Sequence, residues 1–135
     1  MGKNKMKRHE ERQAVMGLLY SSSFRKDEKP ESILLDLEAG SSGFIEKTFI
    51  GALSFAAEAD SMIEKDSNNW KIARLSPVTS AILHLAVYEL LKTDTPPKVV
   101  INEAVELAKE YDDESSPAFV NGILNRIARE CGLIS

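Results

Sequence analysis

Residues 99–127 read VVINEAVELAKEYDDESSPAFVNGILNRI, and the periodicity of this stretch decides the fold. Val100, Ala104, Leu107, Ala108 and Tyr111 recur every three or four positions, the spacing of one helix face. Asp112-Asp113-Glu114 then interrupts the pattern. Ser115-Ser116-Pro117 offers a helix cap followed by proline in the first turn. A second stripe follows, built from Phe119, Val120, Ile123, Leu124, Ile127 and Ala128, and Gly132 is placed to stop it. The stretch is therefore two amphipathic helices joined by an acidic loop.

The same period extends outward in both directions. A most apolar helix is expected over 77–92, where Val78, Ala81, Ile82, Leu85, Ala86, Val87, Leu90 and Leu91 cover much of the circumference. That distribution belongs at the centre of a bundle. Ser76-Pro77 caps and starts it, and Thr95-Pro96-Pro97 separates it from the helix over 97–111. Further upstream, Ile45, Phe49, Ala52, Leu53, Ala56 and Ile63 predict a long helix over 44–65, with Ser42 as its cap after the Gly40–Gly43 break. A first helix over 7–23 carries Val15, Leu18 and Leu19, and Pro30 opens a short helix over 30–38. Residues 70–75 read as one more helical turn. No run of alternating β-branched residues stands out. The expected fold is all-α, a compact bundle of about seven helices.

Composition narrows the class of function. At 135 residues the chain suits one domain with one core, and 43% hydrophobic content is ordinary for a globular protein. No apolar run is long enough to cross a bilayer, and the basic start lacks the apolar region of a signal peptide. One cysteine, Cys131, excludes an internal disulfide. A cytoplasmic protein is the expectation. Charge is uneven. Lys3, Lys5, Lys7, Arg8 and Arg12 stand against Glu10 and Glu11, so residues 1–12 carry +3 within a chain of net −4, and the rest carries −7. A basic arm on an acidic body attracts anions locally and repels them elsewhere.

Catalytic signatures are missing. There is no glycine-rich phosphate loop, no CxxC pair, no nucleophile motif and no cofactor motif. His9 and His84 stand far apart without metal-ligand spacing, and His84 reads as a packed or rim residue of its helix. Cys131 reads as a small apolar residue, and Asp112 and Asp113 as solvated loop charges. No catalytic or metal-ligating residue is assigned.

Other residues point to binding. Phe119, in a first turn beside free N–H groups, suits base stacking, although inward packing on Ile123 explains it equally well. Gly122 costs a helix about 1 kcal/mol relative to alanine, a cost that implies close approach of a helix or ligand. Asn102 is expected to bond to a neighbouring loop or cap, and Glu103 suits the helix dipole. Gln13 and Tyr20 could face a ligand, or Tyr20 could close the core with its hydroxyl in water.

Four segments together resemble the NusB family of transcription antitermination factors. They are RQAVMGLLY at 12–20, AILHLAVYEL at 81–90, PKVVINEAVELAK at 97–109 and FVNGIL at 119–124. Their order and spacing agree with the family over almost the whole chain. The resemblance implies a two-subdomain helical bundle that binds boxA RNA with the ribosomal protein NusE. It also implies indirect links to other Nus factors and RNA polymerase, and a non-catalytic mechanism. The RNA contacts it implies fall on Lys7, Arg8, Arg12, Tyr20, Ser115 and Phe119. The chain departs from the family in having fewer N-terminal arginines, Ala118 in place of a lysine, Ser115 in place of an acidic residue and His84 in place of an arginine. These departures imply weak RNA affinity without NusE and a shallow salt dependence. Two other readings stand beside this one: a protein-only interaction module of the same fold, and, less expected because residues 1–135 hold no catalytic motif, the RNA-binding domain of a ribosomal RNA methyltransferase. A homodimer that hides the RNA face is compatible with the sequence.

Overall fold

The computed structural model describes residues 6–37, 42–65 and 74–135. Among these residues there are six helices and no strand: α1 (Arg8–Ser22), α2 (Pro30–Leu34), α3 (Gly43–Glu64), α4 (Pro77–Lys92), α5 (Pro97–Tyr111) and α6 (Ser116–Glu130). The all-α expectation is met. The extra turn expected over 70–75 lies outside the described residues apart from Arg74 and Leu75, as do Gly40 and Ser41.

Packing follows the apolar stripes. Ten of the sixteen α4 residues are buried, and α4 packs against α1, α3, α5 and α6. Val15, Leu18 and Leu19 of α1 bury as their spacing predicts, as do Ile45, Phe49 and Ile63 of α3. Gly51 lets α3 close on α4, because a Cβ there would lie 2.5 Å from the Tyr88 ring.

The caps explain most of the boundaries. The Ser42 hydroxyl accepts from the Ile45 amide at 3.2 Å, and the Ser76 hydroxyl from the Thr79 amide at 3.1 Å. At the end of α6, Gly132 takes φ +73°, a value that favours glycine. Its amide donates to Arg129 and that of Leu133 to Ala128, the pair of bonds of a Schellman stop.

Several expectations fail, each for a physical reason. Ser115 precedes α6 but does not cap it with its side chain; its backbone is right-handed helical, and its hydroxyl donates to Asp113 at 2.8 Å instead. Gly122 is exposed, and a Cβ there would meet nothing within 4 Å, so no helix approaches it. Asn102 is exposed and makes no side-chain hydrogen bond among the described residues, so it bonds to no loop or cap there. Tyr111 ends the apolar stripe of α5 at the rim, 48% exposed. Cys131 is the exposed C-cap of α6, and α2 stops at Leu34, four residues earlier than expected. His84 sits at the rim as expected, with Nε2 2.6 Å from Asp60.

Candidate nucleic-acid interface

A chain of ionic side chains sets α1 against α4 and α5. Arg12 donates to Glu89 through Nε at 2.8 Å and Nη2 at 2.9 Å, and both residues are almost fully buried. Such a two-pronged bond fixes orientation as well as distance. Arg12 Nη1 also lies 3.7 Å from Glu103. Glu103 in turn faces His9 Nδ1 at 2.7 Å, and the other His9 ring nitrogen faces Glu110 at 3.0 and 3.1 Å. Both nitrogens can donate only in the imidazolium form. The Glu103 contact, supported by Glu110, accordingly raises the His9 pKa above its usual value against a smaller opposing effect of burial. Gln13 adds a 3.3 Å bond to Glu110.

With α1 held in that register, Tyr20 in its last turn stands beside the end of α5. Gln13, Met16, Gly17, Tyr20, Val78 and Tyr111 line an apolar cleft of about 280 Å³. Gly17 presents no side chain, which leaves room between the two exposed tyrosines. Tyr20 is further steadied by Phe24, edge to face at 5.1 Å between ring centres.

A second cleft, about 340 Å³, lies on the other side of the first α4 turn. Arg74, Leu75, Ser76, Thr79, Asp113, Ser115, Ser116 and Phe119 line it. Val78 borders the first cleft and Thr79 the second, so adjacent residues join the two. Asp112 braces this junction, accepting from Thr79 of α4 and, at 2.6 Å, from Ser116 of α6. Burial pushes the Asp112 carboxyl up, but those bonds and the Asp113 amide outweigh it and hold the pKa below the usual range. Asp112 is thus a structural tie rather than the solvated charge its sequence context implies.

The six residues singled out from the sequence fall in four places. Ser115 and Phe119 share the second cleft, and Tyr20 borders the first. Arg8 and Arg12 line a third cleft together, but only Arg8 is accessible, since Arg12 is 5% exposed and held by Glu89. Lys7 is exposed just before α1. Phe119 is half-buried: it packs on the core edge, as the inward reading expects, and also borders its cleft. Sequence reasoning misses Tyr111 and Arg74 as cleft residues. Tyr111 matches the apolar period of a core position, and nothing in the local pattern marks Arg74.

The profile of the NusB family matches residues 9–129. The chain belongs to the NusB family. Across 128 residues it is 41% identical to the transcription antitermination protein NusB of a Nitratiruptor species, covering 91% of this chain and 92% of that one. The structure of T. maritima NusB superposes with a TM-score of 0.84 at 38% identity, covering 94% of each chain. A chain from the crystal structure of antitermination factors NusB and NusE in complex with double-stranded RNA superposes at 0.74 and 29% identity, covering 93% of this chain and 99% of that one. Among the described residues of this NusB-family fold, no helix is long and apolar enough to cross a membrane.

Proposed function

We propose that this chain is a transcription antitermination factor, a non-catalytic cytoplasmic adaptor that binds boxA RNA of ribosomal RNA transcripts together with NusE. Residues 1–135 act as one RNA-binding domain, and the other Nus factors and RNA polymerase are reached indirectly. The observation that carries this reading is the pairing of two clefts across the start of α4, one bordered by Tyr20 and Tyr111 and the other by Ser115 and Phe119. Aromatic side chains bordering adjacent clefts suit the unstacked bases of a single strand. Lys7 and Arg8 supply cations to the phosphates. Arg12 acts from within, as the brace that sets α1 and hence Tyr20.

The burial of Arg12 also favours the rival reading, a protein-only module, because it removes one cation from the surface. Titration of boxA-like and scrambled RNA, with and without NusE and at two salt concentrations, separates the two. Preference for boxA in the NusE complex supports the adaptor. Equal affinity for both RNAs rejects it.

A further inference from the structure

A third cleft, about 380 Å³, opens between α1, α3 and the α4–α5 connection. Three of its features are unusual together. Its accessible charges are cationic: Arg8, half exposed and laid over the Phe44 ring at 3.9 Å, and Lys47, which is exposed and makes no ion pair among the described residues. No carboxylate is part of its lining. Glu89 and Glu103 both face Arg12, and Glu11 stands 3.5 Å from Arg8, so Lys47 is the lining cation that no carboxylate pairs among the described residues. Finally, the wall contains two hydroxyl side chains that are more than nine-tenths buried, Thr48 at 4% exposure and Tyr88 at 7%. Neither makes a side-chain hydrogen bond among the described residues, and neither hydroxyl is sealed from solvent.

Each of these hydroxyls therefore has a proton to offer to water or to a ligand acceptor in the cleft. Thr95 brings a third hydroxyl to the same cleft, 3.2 Å from that of Thr93. Hydroxyls and cations in one lining suit an oxyanion, whose several oxygens each accept hydrogen bonds. The tetrahedral spread of a phosphate uses donors from different elements better than a planar carboxylate does.

We propose that this cleft is a phosphate-binding site in which Lys47 and Arg8 supply the charge and the Thr48, Tyr88 and Thr95 hydroxyls supply directed hydrogen bonds. The phosphate is either free in solution or one link of a bound RNA backbone; the second case rests on the RNA-adaptor reading above. It would lead the strand along the basic side of α1, away from the aromatic clefts.

Two arms test this. In the first, inorganic phosphate is titrated into the protein at constant ionic strength, and amide shifts are followed by NMR. Saturable shifts at Thr48, Tyr88 and Thr95, at least tenfold reduced in Lys47→Glu and absent with chloride, are expected. Equal shifts with acetate would reassign the cleft to a carboxylate and overturn the proposal, as would phosphate shifts that avoid these residues. In the second arm, boxA RNA is bound by wild type, Lys47→Ala and Tyr88→Phe in the presence of NusE. Tyr88→Phe keeps the ring against Gly51 and removes only the hydroxyl. A three- to tenfold loss is expected in each variant, with the salt slope of Lys47→Ala shallower by about 0.7. Wild-type RNA binding that both variants retain in full rules out the backbone phosphate. Wild type that binds no RNA rejects the adaptor reading and leaves the free-phosphate arm to stand or fall by its own shifts.

Discussion

Arg12 on α1 and Glu89 on α4, 77 residues apart, form a two-pronged ion pair at 2.8 and 2.9 Å in the interior of the bundle. Side-chain exposure is 6% and 2%, so water screens neither charge. Such a pair specifies register more than it adds stability, because desolvation offsets most of the attraction. Breaking it is a different matter. Arg12→Ala leaves Glu89 charged, buried and without its cation, and is expected to cost about 3–5 kcal/mol. Urea denaturation measures this. Replacing both residues together by leucine and methionine should cost much less than Arg12→Ala alone; an equal or larger loss in the double variant would show that the pair itself stabilises the fold.

His9 gives the chain a pH dependence of known sign. Its folded pKa is raised by Glu103 and Glu110 above the unfolded value of about 6.5. The folded state therefore holds the proton more tightly, and the stabilisation is fully present below about pH 6.5. It is lost as pH rises through the folded pKa. Chemical denaturation at pH 5.5 and pH 8.5 should show wild type losing stability across this interval by more than His9→Gln does. Parallel losses in the two proteins would exclude His9 as the source.

Tyr111 is a sharper probe of the RNA reading than Phe119, because it is 48% exposed and its truncation disturbs little packing. Tyr111→Ala is expected to weaken RNA binding by about 1–3 kcal/mol, the value of one lost stacking partner. Tyr111→Phe should bind nearly as well as wild type. Phe119→Ala should lose RNA binding to a similar extent and also lower the melting temperature, since its ring meets both the core and the cleft. Unchanged RNA affinity with a lowered melting temperature would assign Phe119 to the core alone.

Ala118 is exposed one residue before Phe119, where relatives in the resemblance carry a lysine. Ala118→Lys should tighten RNA binding and steepen the slope of log affinity against log salt by about 0.7, the release of one counterion from a single strand. Fluorescence anisotropy at four salt concentrations reads both. An unchanged slope would mean that RNA does not pass this turn of α6.

Gly122 and Gly51 should respond to alanine with opposite signs. At Gly122 the added methyl meets nothing, so Gly122→Ala is expected to stabilise by about 0.5–1 kcal/mol through backbone entropy and helix propensity. At Gly51 it would sit 2.5 Å from the Tyr88 ring, and crowding of about 1–3 kcal/mol outweighs the propensity gain. Thermal melts of the two variants test the contrast directly.

Much of the fold is legible locally. The Ser42 and Ser76 caps, the Pro77 and Pro97 starts and the Gly132 stop lie within a few residues of the boundaries they set, because a helix end is satisfied by its own neighbours. The central position of α4 is legible too, since apolar residues around most of a helix must be covered on most sides. The candidate site is legible in part. Pattern marks Tyr20 and Phe119 and the family resemblance adds Ser115, whereas Tyr111 is hidden by its own period: an apolar stripe does not say where along it the neighbouring helix ends.

The sequence by itself thus determined six helices among the described residues, the Ser42 and Ser76 caps, most of the buried faces and the family to which the chain belongs. The tertiary structure alone decided the fate of the charges and the small residues. Arg8 and Arg12 are equally basic and one turn apart, yet one lies over Phe44 at the surface and the other is sealed against Glu89. Gly51 and Gly122 are both helical, yet only one is pressed by a neighbour. The reason is that helical period depends on residues three or four positions away. Burial of a guanidinium, the opening of a cleft and the crowding of a glycine depend on what a helix dozens of residues distant presents to the same point.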